Sequence, residues 1–161
     1  MKKFNQKTQK GFSLVELLAV VGIIGILASI SIPKLLVSKR AANEGSAISA
    51  MRTLHSVEAS YQSTYGQGEF ADLPTLVTEK LVDTTFSTNT RSGYDFVIVP
   101  SAVGIKPASF FASAVPSVTS GIAATGSRRF GLCEDGVLRG DGSLTAFADR
   151  NEVASTPALN N

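Results

Sequence analysis

The sequence predicts an α+β protein: a long N-terminal helix, hydrophobic in its first half, with a small antiparallel sheet packed on its second half. Three observations predict it. Residues 12–32 form 21 consecutive residues with a single charge, Glu16. From Lys34 to about Tyr65, apolar side chains recur every three or four positions, the period of a helix with one buried face. Beyond residue 90, short runs rich in aromatic and β-branched residues are bounded by Pro and Gly, the pattern of strands joined by turns.

The hydrophobic segment reads FSLVELLAVVGIIGILASISI. At 1.5 Å per residue it reaches roughly 31 Å, the thickness of a bilayer's hydrocarbon core. Lys2, Lys3, Lys7 and Lys10 precede it without an intervening acid, which orients the start to the cytoplasm and places residues after Pro33 outside. A secretory signal peptide shares the basic start, but its apolar core is shorter and ends at small residues. Here Ala28, Ser29 and Ser31 alternate with Ile30 and Ile32 and run straight into Pro33.

Glu16 is the informative residue. A carboxylate in a membrane helix costs about 2.5–3.5 kcal/mol near the bilayer centre and less near its edge. No basic residue lies within helical reach inside the segment. Cutting the chain between Gly11 and Phe12 would create an α-amine on Phe12, able to pair with Glu16 of the same chain or of a neighbour and so to fix axial register. A glutamate snorkelling to the interface satisfies the same spacing, and spacing alone leaves both readings open.

The run Lys10-Gly11-Phe12-Ser13-Leu14-Val15-Glu16-Leu17-Leu18, continued to Ile32-Pro33, resembles the N-terminus of the type IV pilin and type II secretion pseudopilin superfamily. The resemblance extends to about residue 65 and is most like the short-leader class of pilins. It implies cleavage after Gly11 by a membrane prepilin peptidase, N-methylation of Phe12 by the same enzyme, and a role for Glu16 in assembly.

Within the helix, Pro33 removes one backbone donor and crowds the carbonyl of Ser29, so a kink or a locally unwound stretch is expected there. Gly22 and Gly25 weaken the helix further. Residues 22–33 are therefore candidates for a segment that extends when subunits pack. Farther on, Ala47, Met51, Leu54, Tyr61 and Tyr65 form one stripe, widened by Ala50, while Lys39, Arg40, Glu44 and Arg52 fall elsewhere. Glu58 falls inside the stripe and is expected to pair at the core's edge or to reach a neighbouring subunit. Gly66 and Gly68 end the helix.

In the remainder, Asp72-Leu73-Pro74 caps a short helix or turn over 75–82. Strands are expected over 94–99, 110–115, 129–133 and 137–139, three or four in one sheet, with Glu134-Asp135-Gly136 as a hairpin turn. Arg128 and Arg129 read as strand-edge surface. Residues 140–161 read as a loose C-terminal tail. The expected organisation is a leader (1–11), a transmembrane and filament-core helix (12–33), its amphipathic continuation (34–65), a small β domain (66–139) and the tail (140–161).

Composition excludes several classes of function. Apolar residues make up 43 % and charged residues 17 %, too apolar for a disordered chain. The net charge is +2. Without the four leader lysines, 15 basic residues fall to 11 against 13 acidic, so the body carries −2 and gives no support to nucleic-acid contact. One cysteine, Cys133, excludes an internal disulfide and reads as a small apolar strand residue. A single histidine, His55, leaves no imidazole-based catalytic constellation. No phosphate loop or nucleophile–base pair is found, so neither an enzyme nor a cofactor is expected. Asp141, Ser143, Thr145, Asp149 and Glu152 match positions one, three, five, nine and twelve of a calcium loop, but Ala146 stands where that loop needs glycine. These five are weak calcium candidates, and no metal site is assigned.

The reading is a structural pilin that is processed by prepilin peptidase and polymerises as a homo-oligomeric helical filament, with membrane lipid as its surroundings before assembly and the inner-membrane pilus machinery as its partner. Before assembly it is single-pass in the inner membrane; afterwards it is extracellular in the pilus. The first alternative is a pseudopilin of a type II secretion system, which is periplasmic. The second is a membrane-anchored periplasmic binding domain that never polymerises and keeps its N-terminus.

Overall fold

The computed structural model describes residues 11–159, so the leader, apart from Gly11, lies outside the described residues. The dominant element is α1, Leu14–Thr64, 51 residues long. The boundary between two compact units falls inside it, after Val37.

In the first unit α1 stays helical through Pro33. The unwound stretch expected there is not present in the single chain. A proline removes one rung, the bond to the Ser29 carbonyl, and the turns on either side keep theirs. The Ser29 hydroxyl folds back to donate to the Ile26 carbonyl at 2.7 Å.

In the second unit, α1 buries Glu44, Ala47, Ala50, Met51, Leu54 and Glu58, one face at helical spacing. Tyr61 is half-buried, whereas Tyr65, placed on the same stripe by sequence, is exposed. The helix ends one residue before it. Gly66 then turns the chain so tightly that a side chain there would run into the Glu69 carbonyl and the Tyr61 ring. The next helix, α2 (Leu73–Thr78), is capped by Asp72, whose side chain accepts the Thr75 N–H at 3.0 Å.

The sheet is a five-stranded antiparallel meander in the order β1 (Thr90–Arg91), β2 (Tyr94–Pro100), β3 (Phe110–Pro116), β4 (Arg129–Cys133), β5 (Arg139–Asp141). It has one strand more than expected. The added strand, β1, is joined to β2 by Ser92-Gly93, both at positive φ (50° and 74°), the geometry that two-residue hairpins need. The last strand begins two residues later than 137, because the Asp135 carboxylate holds the Val137 N–H and pairs with Arg139 within the turn.

Alternation along the strands separates the two faces. Tyr94, Phe96 and Ile98 of β2, Phe110, Ala112 and Ala114 of β3, and Phe130 and Leu132 of β4 join the α1 stripe in the main core. Phe86, on a short 3-10 helix (Thr84–Thr88), meets Phe96 edge-to-face at 5.5 Å. The opposite face carries a second, smaller cluster of Phe111, Cys133, Phe147 and Val153. Residues 140–159 are therefore not a loose tail. They include α3 (Arg150–Ser155), capped by Asp149, and a bridge between Arg139 and Ala158. Phe147 and Val153 seat the segment on the apolar outer face of the sheet, and Leu159 packs against the main core.

Candidate functional site

The segment that carries the predicted chemistry opens with three non-helical residues, Gly11-Phe12-Ser13. Ser13 is the helix cap: its Oγ accepts the Val15 N–H at 3.3 Å, and its carbonyl accepts the Leu17 N–H at 3.1 Å. Glu16 closes the arrangement, its Oε2 accepting the Ser13 N–H at 3.0 Å. The Glu16 bond is one arm of a capping box, readable as Ser-x-x-Glu just before an apolar run, while the Ser13 hydroxyl takes the N–H of Val15 in place of that of Glu16. Glu16 also sits in the first turn, where the helix dipole favours negative charge. The carboxylate thus has a partner inside its own chain. That partner is a backbone N–H at the helix start, not a cation.

From Phe12 to Val37 the large apolar side chains are exposed apart from half-buried Leu36, Phe12 by 76 % and Leu14 by 73 %. Among the described residues, one helix is long and apolar enough to cross a membrane. Side chains built at Gly22 and Gly25 would meet nothing within 4 Å, so contacts within the chain do not require glycine at either position.

Three of the five calcium candidates, Asp141, Thr145 and Glu152, come together, but around a guanidinium. Arg129, expected at a strand-edge surface, is only 6 % exposed. Its Nε and Nη2 donate to the two oxygens of Asp141 at 2.9 and 3.0 Å, Nη2 pairs with Glu152 at 2.7 Å, and Nη1 donates to the Thr145 carbonyl at 3.1 Å. The guanidinium lies 3.8 Å from the centre of the Phe147 ring. The bonds from Arg129 hold the Asp141 carboxyl below its ordinary range. For Glu152, the Ala148 N–H and then Arg129 do the same. Ser143 and Thr145 share a hydroxyl contact at 3.1 Å, and Asp149 is the α3 cap. Among the described residues, no group of three or more His, Cys, Asp or Glu side chains could hold a metal ion.

Two further acids, Glu44 and Glu58, are buried. Glu44, placed off the buried stripe, accepts the N–H and hydroxyl of Ser127 at 2.9 and 2.6 Å and a two-pronged contact from Arg128 at 3.1 and 2.9 Å. Burial pushes its pKa up, but the bonds from Ser127 and Arg128 outweigh burial and leave it lowered. Beside it on α1, Arg40 holds the Ala124 and Gly121 carbonyls and Asn43 holds that of Thr125. One polar face of α1 thus fastens the β3–β4 loop. Glu58 lies inside the core. Cys133 is buried on β4 as read, and burial pushes its thiol up to about 11.

A family model described as the prokaryotic N-terminal methylation motif matches residues 6–32. Over 38 residues the chain is 50 % identical to the type IV wide pilus major component PilA4 of Thermus thermophilus, covering 24 % of this chain and 29 % of that protein. Over 28 residues it is 68 % identical to a fimbrial protein of Pseudomonas aeruginosa, covering 17 % of this chain and 18 % of that one. The chain thus spans less than a third of the length of the curated relatives it matches. No solved structure matches it. The chain carries the N-terminal methylation motif at the start of an exposed apolar helix, and over that N-terminal stretch it is similar to type IV pilins and fimbrial proteins.

Proposed function

We propose that this chain is a structural subunit of a type IV pilus, cut by prepilin peptidase after Gly11, N-methylated on Phe12, held in the inner membrane by residues 12–33, and then packed into an extracellular helical filament. The observation that carries this reading is an apolar helix with one acid, Glu16, and large side chains exposed along it. Each such side chain gains about 1.5–3 kcal/mol on leaving water, which requires lipid or copies of the same helix around it. Gly11 and Phe12 lie ahead of the first helical residue, where a peptidase needs an extended bond.

The cut leaves a new amine one residue before Ser13. In the filament the Phe12 amine of one subunit pairs with Glu16 of its neighbour, whose Ser13 bond already orients the carboxylate. Gly22, Gly25 and Pro33 mark the stretch that extends on packing, the glycines being open to a neighbour and the proline having already removed a rung. Unbroken helical density through residues 22–33 in the fibre would contradict that part.

A second reading, a type II secretion pseudopilin, shares every N-terminal feature. The single cysteine keeps it in view, because no disulfide can close a C-terminal loop. The two separate by location: the pilus reading expects the subunit in long fibres sheared from cells. The Glu16→Ala variant tests assembly directly. Fibres are expected to be lost or greatly reduced while the subunit still accumulates in the membrane; an ordinary fibre yield would refute the role of Glu16.

A further inference from the structure

We infer that residues 142–156 form a flap that opens as a unit from the outer face of the sheet, latched by the Arg129 guanidinium and hinged on a hydrogen-bonded base. The base is local: Gly140 N–H donates to the Pro157 carbonyl at 3.2 Å, and Leu159 N–H to the Leu138 carbonyl at 2.9 Å. These bonds bring the two ends of the segment together, as in a closed surface loop. The base stays in place when the loop between its ends moves.

Beneath the flap lies an apolar cluster separate from the main core. Phe147 and α3's Val153 come from the flap, Phe111 and Cys133 from the sheet. The seat is cut to fit. A side chain at Gly131 would come within 2.8 Å of the Phe147 ring and 2.9 Å of Val153, and Gly131 has no turn conformation that would otherwise call for glycine. Ser113 pairs with Gly131 in register, and its buried hydroxyl has no hydrogen-bond partner among the described residues. An unsatisfied hydroxyl regains its hydration when the cover lifts, which lowers the cost of opening.

The latch supplies most of the polar grip. Arg129 on β4 reaches the Thr145 carbonyl and Phe147 in the middle of the flap and Glu152 on α3, and is itself held in place by Asp141 at the end of β5, just before the flap begins. A second pair, Arg150 with Glu134, ties α3 to the end of β4. Local opening occurs where few apolar groups are buried and much of the segment faces solvent, and within 142–156 only Phe147, Val153 and Thr156 are buried. Its opening uncovers Phe111 and Cys133.

Cys133 reports on the flap. Its Sγ lies 3.9 Å from the Arg150 carbonyl of α3 and is 1 % exposed as part of the residue, so a thiol reagent reaches it only when the cover is off. The experiment measures Cys133 alkylation by iodoacetamide at fixed pH on the full chain in detergent micelles, together with backbone amide exchange. Two variants open the flap by different physics: Asp141→Asn with Glu152→Gln removes the latch charges, and Gly131→Ala wedges the seat. Each is expected to raise the alkylation rate at least tenfold, while the amides of Leu54, Phe96 and Ala112 keep the parent's exchange rates. Parent-like alkylation in both variants would overturn the inference. So would main-core amides exchanging in step with Cys133, because the segment would then not be a separate unit.

Discussion

Inside the core, the Glu58 carboxylate accepts the Ala71 backbone N–H at 3.1 Å through Oε2, joining α1 to the chain that leads into α2. Glu58 is 0 % exposed, and its Oε1 has no partner among the described residues. Burial pushes its pKa up, the Ala71 bond opposes this, and nearby Asp72 adds to the rise, giving a value of about 7 against an ordinary 4.5.

The sign of the pH dependence follows. Between about 4.5 and about 7 the folded chain holds a proton on Glu58 that the unfolded chain has released. Stability from this group is fully present below 4.5 and is lost as pH rises through 7, by about 3 kcal/mol at most. Urea unfolding of the detergent-solubilised chain from pH 5 to 8 is expected to show this decline. In Glu58→Gln, which keeps an acceptor for Ala71 and cannot ionise, that part of the slope is expected to vanish.

Glu44 behaves in the opposite sense. Its lowered pKa means its contribution is present at neutral pH and lost as pH falls through the folded value. Glu44→Ala leaves the Ser127 N–H and hydroxyl and the Arg128 guanidinium without their acceptor. A loss of about 2–4 kcal/mol in unfolding free energy at pH 7 is expected, read from the urea midpoint. The pair is half-exposed on the Arg128 side, which places the expected value toward the lower end.

The α1 stripe predicts a plain packing effect. Leu54 is 1 % exposed in the main core, and Leu54→Ala is expected to cost about 2–5 kcal/mol. Tyr65→Ala, at the exposed end of the predicted stripe, is expected to change stability by no more than about 0.5 kcal/mol. The contrast, measured by thermal unfolding, separates the buried part of the helix from the part that only shares its periodicity.

The capping box gives a local prediction. Ser13→Ala removes the acceptor for Val15 N–H, with an expected cost of about 0.5–2 kcal/mol confined to the first turn. Amide exchange at Val15 is expected to speed up while exchange at Leu54 is unchanged.

Much of this architecture was readable because its signals are periodic. The apolar run, the Ala47–Met51–Leu54 stripe and the alternating strands of β2 to β4 each repeat over enough residues to declare themselves. What sequence misjudged depended on partners distant in the chain. Glu44 is buried because Ser127 and Arg128 meet it from 83 and 84 residues away. Arg129 looked like surface because its two acids lie beyond β4, and the tail looked loose because Phe147 and Val153 acquire meaning only over the outer sheet face. For β1, Ser92-Gly93 was a local clue, but a two-residue strand is too short to show a period. The candidate site was legible as a motif, whereas the Ser13–Glu16 contact within it needed attention to backbone donors rather than to charges.

The central claim is that Phe12 becomes a free N-terminus facing Glu16 of another copy. Intact-mass measurement of the subunit from sheared fibres tests it most directly. The account predicts a chain that has lost residues 1–11 and carries one added methyl group on Phe12. A native chain that still begins at Met1 would contradict it and leave an anchored domain that does not polymerise.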